Sequence, residues 1–282
     1  MNIRPVGDDG LLLQNNGQLS LFLVGTGSAF AKKLNQNNFT IIKGSHHIQV
    51  DCGTKLPQAF YRLGRSVTDI NTWLITHSHA DHIGGLEEVM LMGRYVAKKR
   101  PGIIITEQYQ DVLWNFSLKG GASFNERHNS DVLGFEDFWE IHRPHVLQGY
   151  PRDTYEIDIH GINIKLFRTM HFPDNAESWA DSAYSVGLVI DDRVMFTGDT
   201  RFDRDLLVTY DKRFNFEYIF HDVQFFPGGV HASFDELSTL PKSLKKRMIL
   251  VHYSDNFETK VDEVKKAGFF GFGKQSHYYD FD

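Results

Sequence analysis

The chain has 282 residues, 41% of them hydrophobic and 23% charged, with a formal net charge of −6. That length supports a full core in an ordinary globular protein, and the acidic balance argues against an extended basic face for nucleic acid. One cysteine, Cys52, excludes an intramolecular disulfide framework and a cysteine-rich zinc finger; with no apolar run near the ~20 residues of a bilayer span and no signal-peptide order at the start, a cytoplasmic protein is expected.

No Pro/Gly/Ser-rich linker, repeat or low-complexity tract interrupts the chain, so one domain over 1–282 is expected. Apolar runs at 19–24, 39–43 and 47–52 predict strands, the first two followed by glycine-containing turns. A helix is expected from Lys55 to Leu63, stopping at Gly64, then a short buried strand at 73–76. Apolar residues at 86, 89, 90 and 96 keep close to helical spacing, and Pro101 ends that helix. A strand at 103–106 and a helix at 107–114 follow. Residues 115–150 mix Gly, Asn, His and aromatics without a period, which predicts an irregular excursion. Hairpins are expected at 155–169, turning at Gly161, and at 184–197, turning at Asp191 and Asp192. Strands at 217–222 and 247–252 flank a helix opened by the capping-box sequence SFDE at 233–236. A last helix runs from Asn256 to Ala267 and ends at Gly268. Short strands with helices interspersed suggest a strand sandwich with helices outside.

The chemistry concentrates at strand ends. The stretch HSHADHIGG (77–85) places His77, His79, Asp81 and His82 directly after an apolar strand. Chance produces such a cluster rarely in a chain of this composition. His171, Asp199 and His252 each stand just beyond a further apolar strand. A rigid sheet can bring such loop residues together. Seven nitrogen and carboxylate donors suit two divalent ions: His77, His79 and His171 on one, Asp81, His82 and His252 on the other, with Asp199 bridging. Zinc fits best, and manganese or iron fit too. Such ions lie about 3.5–4 Å apart in two-metal hydrolases. Singly, each distant donor has a plainer role, as a core or turn residue. His46, His47, His128, His142, His145, His160 and His277 are expected to be surface or structural, and His221 closes a strand with no ligand role.

His77, His79, Asp81 and His82 in H-x-H-x-D-H, then His171, Asp199 in GDT and His252 in VHYS, resemble the metallo-β-lactamase fold superfamily over most of the chain. VGTGSAF (24–30) and VDCG (50–53) fit that superfamily too, and the Asp51 segment precedes the main motif as it does in the tRNA 3′-processing endonuclease branch. GTGSAF as a dinucleotide loop is the weaker reading, because Phe30 stands where the third glycine would be. The resemblance implies an α/β fold, an αββα sandwich with a dinuclear metal site at one edge of the β layers. In the endonuclease branch an extra histidine precedes the last ligand, and His231 matches it; Asp222 stands where that branch has a glutamate and could orient His231. The branch's tRNA-gripping arm finds no room between His171 and Asp199. LWNFSLKGGAS (113–123), GVHASFDELSTL (229–240) and RMILVHY (247–253) resemble the anti-Pycsar family, phosphodiesterases that open cyclic nucleotides used as immune signals and act as homodimers. That resemblance implies hydrolysis of 3′,5′-cyclic mononucleotides to 5′-monophosphates; on that reading Asp81 binds one ion and orients the attacking hydroxide, and His231 either protonates the leaving oxygen or binds the phosphoryl oxygen. A tRNA-processing RNase, a thioester or lactone hydrolase of the same fold, and a non-catalytic nucleotide sponge are the rivals. Trp114, Phe116, Phe124 and Trp139 are candidates for base stacking or for the core. The aromatic tail, Phe269, Phe270, Phe272, Tyr278, Tyr279 and Phe281, suits a dimer interface or core closure equally.

Overall fold

The computed structural model describes residues 1–128 and 131–282, and of His128 the backbone alone. They form two compact units. The first comprises Met1–Gly25, Asn35–Pro144 and Lys274–Asp282; the second comprises Thr26–Leu34 and His145–Gly273. Each is built on one eight-stranded sheet.

In the first unit Asn2–Pro5, His277–Phe281, Leu19–Leu23, Phe39–Lys43 and His46–Val50 pair antiparallel in that spatial order. Thr72–Leu74, Gly102–Ile104 and Glu140–His142 then continue the sheet in parallel. Parallel neighbours are buried on both faces and read as unbroken apolar runs, as in the WLI of 73–75. The helices stand close to where periodicity puts them, at Leu56–Arg62, Leu86–Leu91 and Glu107–Leu113. Two of them run on as wider π-helical turns, Met92–Ala97 and Trp114–Leu118. The second continues as Lys119–Ala122. The 115–150 stretch thus begins helical and also supplies the edge strand at 140–142. Its packing comes from Trp114, Phe135, Phe138 and Trp139, all buried, with ring centroids of Trp114 and Phe135 5.8 Å apart. Trp114 and Trp139 are therefore core residues, whereas Phe116 and Phe124 are exposed. Asn129 and Ser130 of this stretch lie outside the described residues.

The second unit repeats the plan. His145–Val146, Thr154–Ile159, Ile162–Arg168, Val186–Ile190 and Val194–Phe196 pair antiparallel. Tyr218–Asp222, Met248–Val251 and Gly271–Phe272 extend the sheet in parallel. Both hairpins turn where expected, at His160–Gly161 and Asp191–Asp192, all four residues at positive φ. The capping box at Ser233 opens Phe234–Ser238. The helix Arg204–Phe214 was not anticipated: Val208 and Thr209 in its middle are poor helix formers. Tertiary packing outweighs that, since Leu206, Leu207 and Tyr210 join a core with Phe167, Met195, Leu237, Met248 and Phe269. The aromatic tail closes cores, with Phe269, Tyr278, Tyr279 and Phe281 buried and Phe270 42% exposed. Among the described residues no helix is long and apolar enough to cross a membrane.

The strands Ile162–Arg168, Val194–Phe196, Tyr218–Asp222 and Met248–Val251 all run in one direction, because two antiparallel steps restore it. Their C-terminal ends therefore share one sheet edge, where α/β sheets place ligands. In the first unit His46–Val50 and Thr72–Leu74 end side by side in the same way.

Candidate functional site

The first unit carries a four-donor cluster. His77 follows the strand Thr72–Leu74, and Ala80–Ile83 forms one helical turn that raises Asp81 and His82 beside it. His77, Asp81 and His82 are buried. His77 Nε2 lies 3.0 Å from His79 Nδ1, and His82 Nε2 lies 3.1 Å from Asp81 Oδ2. Asp51 sits underneath. Its carboxylate accepts from Thr76 N at 2.8 Å, from Thr76 Oγ1 at 2.9 Å and from His82 Nδ1 at 2.7 Å. That bond commits Nδ1 of His82, so Nε2 is the nitrogen that could hold a metal. Burial pushes the Asp51 carboxyl above its ordinary range, against the opposing pull of His82 and Thr76. Asp51 is also at φ 61, a conformation that costs a non-glycine residue about 1–3 kcal/mol and concentrates at functional sites.

The second unit carries its own cluster. Donor atoms of His171, Asp199 and His231 lie within 4.8 Å of one another. Asp199 Oδ2 is 3.3 Å from His252 Nε2 and 3.9 Å from His171 Nε2. His171 Nδ1 donates to Val230 O at 2.8 Å, again leaving Nε2 for a ligand. His252 stands at φ 56, the same strained region as Asp51, and likewise just past a strand end. Gly198 at φ 62 turns the chain ahead of Asp199, and a Cβ there would come within 2.6 Å of Val186 O.

His231 is held differently. Its Nδ1 donates to Asp222 Oδ2 at 2.8 Å, and its ring stacks on His252 with centroids 4.5 Å apart. Thr200 N also donates to Asp222 Oδ2, at 3.2 Å. Burial alone would raise the Asp222 carboxyl, but His221 and His231 outweigh it and hold it below the usual carboxylate range. An anionic Asp222 keeps the His231 proton on Nδ1, so Nε2 is the atom that can exchange a proton. His221 is buried beside Asp222; its Nδ1 donates to the Asp222 backbone carbonyl at 2.7 Å and lies 3.1 Å from Asp222 Oδ1. Its role as a partner of Asp222 was missed in the sequence; its position one residue before Asp222 at a strand end was the available signal.

The chemistry of these donors fits divalent cations. All are imidazole nitrogens or carboxylate oxygens, most are buried, and His82 and His171 are oriented through the nitrogen that would not coordinate. Beside His231 and His252, within the second unit, opens a cleft of about 520 Å³, walled by Ser28–Ala31, Val223, Gln224, Phe226 and Ser254–Asn256.

The fold is that of a metallo-β-lactamase fold protein. The solved structure of the metallo-β-lactamase fold protein YhfI from Bacillus subtilis superposes with a TM-score of 0.68 at 13% identity, covering 94% of this chain and 100% of that one. A family model described as Anti-Pycsar protein Apyc1 matches residues 19–279. Similar curated proteins of that name come from Bacillus phage 010DV004, 36% identical over 93% of this chain and 98% of the relative, and from Paenibacillus harenae, 35% identical over 84% and 90%. The chain belongs to the Anti-Pycsar protein Apyc1 family. It is accordingly a metal-dependent phosphodiesterase, and small cyclic nucleotides are its substrates.

Proposed function

We propose that the two donor clusters serve one dinuclear centre, with His77, His79 and His171 on one ion, Asp81, His82 and His252 on the other, and Asp199 between them. The reaction is hydrolysis of a 3′,5′-cyclic mononucleotide to the 5′-monophosphate. The observation that carries this is the pairing, in the second unit, of the Asp199–His252 donor pair with a histidine beside it that is tied to a carboxylate. A ligand cluster alone fits any hydrolase of the fold. A separately held proton donor fits a substrate whose leaving oxygen is a poorly stabilised ribose alkoxide.

The ions, when bound, supply positive charge to the phosphoryl oxygens and lower the pKa of a water. Asp81 would accept a hydrogen bond from the attacking hydroxide, the other proton of the water having passed to solvent, and aim its oxygen at phosphorus, in line with O3′. The new P–O bond forms as the P–O3′ bond breaks. His231, protonated on both nitrogens, delivers the Nε2 proton to O3′, and Asp222 balances the charge of the imidazolium through Nδ1. Zinc is the proposed metal on donor type, a cytoplasmic homodimer the proposed form, and tRNA an unfavoured substrate given the −6 net charge.

The test is a panel of 3′,5′-cyclic mononucleotides, cyclic dinucleotides and a tRNA precursor, run on protein whose metal content is measured on the same sample. Ring opening to 5′-monophosphates with about two ions per chain is expected. Cleavage of the tRNA precursor alone, or protein that takes up no divalent ion, ends this reading.

A further inference from the structure

The cleft beside His231 and His252 has two features that the metal chemistry does not use. Phe30 and Phe226 both line it, from different loops, and they are 87% and 63% exposed. A phenylalanine left in water at this level forgoes most of the gain that burial would bring. Two such rings on one cleft call for an occupant. The loops that carry them are nonetheless fastened. Asp255 accepts from the backbone N–H groups of Lys32, Lys33 and Leu34 at 2.6, 3.0 and 3.2 Å, and Ser28 N donates to Tyr253 O at 2.9 Å. On the other side Gln224 Nε2 donates to the carbonyls of Phe226 and Gly228, closing the loop over Gly228 and Gly229, both at positive φ. Aromatic side chains on preset loops lose little freedom when a ligand arrives.

We propose that Phe30 and Phe226 form a clamp for the nucleobase, which stacks between or against their rings while the cyclic phosphate lies at the His231 and His252 end. This rests on the hydrolysis proposed above, and it names the part of the substrate that the cleft selects. The base is the one flat, weakly polar portion of a cyclic nucleotide; ribose and phosphate offer nothing for two phenyl rings to cover. The cleft volume of about 520 Å³ falls in the range of about 300–1,000 Å³ usual for small-molecule sites. Both residues contribute binding, so they are specificity residues and not catalytic ones.

The experiment compares adenosine and uridine 3′,5′-cyclic phosphates with the base-free 1-deoxyribose 3′,5′-cyclic phosphate, in the full chain and in Phe30→Ala, Phe226→Ala, the double variant, Phe30→Leu and Phe30→Trp. The readout is the ratio of kcat/KM for nucleotide over base-free ester. Stacking losses make that ratio fall at least about ten-fold in each alanine variant, chiefly through KM, and further in the double variant. Phe30→Leu falls with the alanine variant, and Phe30→Trp keeps the preference. An unchanged ratio overturns the clamp, as does an equal loss on both esters, the signature of a damaged fold or altered chain association. Equilibrium binding of adenosine 5′-monophosphate against ribose 5-phosphate separates the clamp from the chemistry. A preference for the nucleotide that Phe30→Ala and Phe226→Ala abolish upholds the clamp even if no cyclic ester is opened. No preference in the unsubstituted chain overturns it even if hydrolysis is fast.

Discussion

In the first unit four donors come from six neighbouring positions, His77 to His82, and a single carboxylate, Asp51, ties His82 and Thr76 beneath them. In the second, His171, Asp199, His231 and His252 come from separate segments, and two different anchors hold them: Val230 O orients His171, and Asp222 orients His231. In the assignment proposed above, the first arrangement is a compact local motif whose carboxylate orients a ligand, and the second sets ligands beside the proton donor His231, which its carboxylate orients. Substituting each carboxylate should therefore damage different things.

The largest effect is expected at Asp199, the residue assigned to both ions. Asp199→Ala should lose more activity than the about 10²–10⁴ of an acid–base residue and should also lose bound metal, read by elemental analysis. Full metal content in that variant would remove the bridging assignment. His231→Ala comes next. Turnover of a cyclic mononucleotide should fall about 10²–10⁴-fold with metal content unchanged. If His231 were instead a ligand, metal would leave with activity.

The two carboxylates give the sharpest contrast. Asp51→Asn weakens the acceptor that orients His82, so metal retention in a competing chelator should fall by about 10–100-fold. Asp222→Asn leaves the ligands alone and should slow turnover about 10–100-fold at unchanged metal content. Identical behaviour of the two variants would mean that the clusters do not divide labour in this way.

This division was partly visible in the sequence. The four donors of 77–82 could be seen because they are contiguous and follow an apolar strand. His171, Asp199 and His252 could be picked out because each follows a buried strand, and parallel strand ends share an edge. His231 needed a family resemblance, since nothing local distinguishes it from a loop histidine. Phe30 drew attention only as a departure from a glycine pattern, and Phe226 drew none. Their setting depends on Asp255 and Gln224, and the Asp255 bonds reach residues more than two hundred positions away. The helix at 204–214 was hidden for the opposite reason: its local preferences are weak and its burial comes from a distant core.

The smallest expected effect tests what places His231. Two residues beyond it, Ser233 closes a capping box: its hydroxyl accepts from Glu236 N at 3.3 Å, and its own N–H donates to Glu236 Oε2 at 2.9 Å. Ser233→Ala should cost about 1 kcal/mol, a fall of roughly 2–4 °C in Tm for a chain of this size. If the Asp222 bond sets the imidazole, the helix start can fray with turnover altered less than two-fold. If the backbone of the helix entry sets it, Ser233→Ala should slow turnover while Asp222→Asn leaves it nearly unchanged, and the carboxylate would be a passive neighbour. Measuring both variants at one temperature, well below either Tm, separates placement from stability, because both retain the His231 side chain and the metal donors.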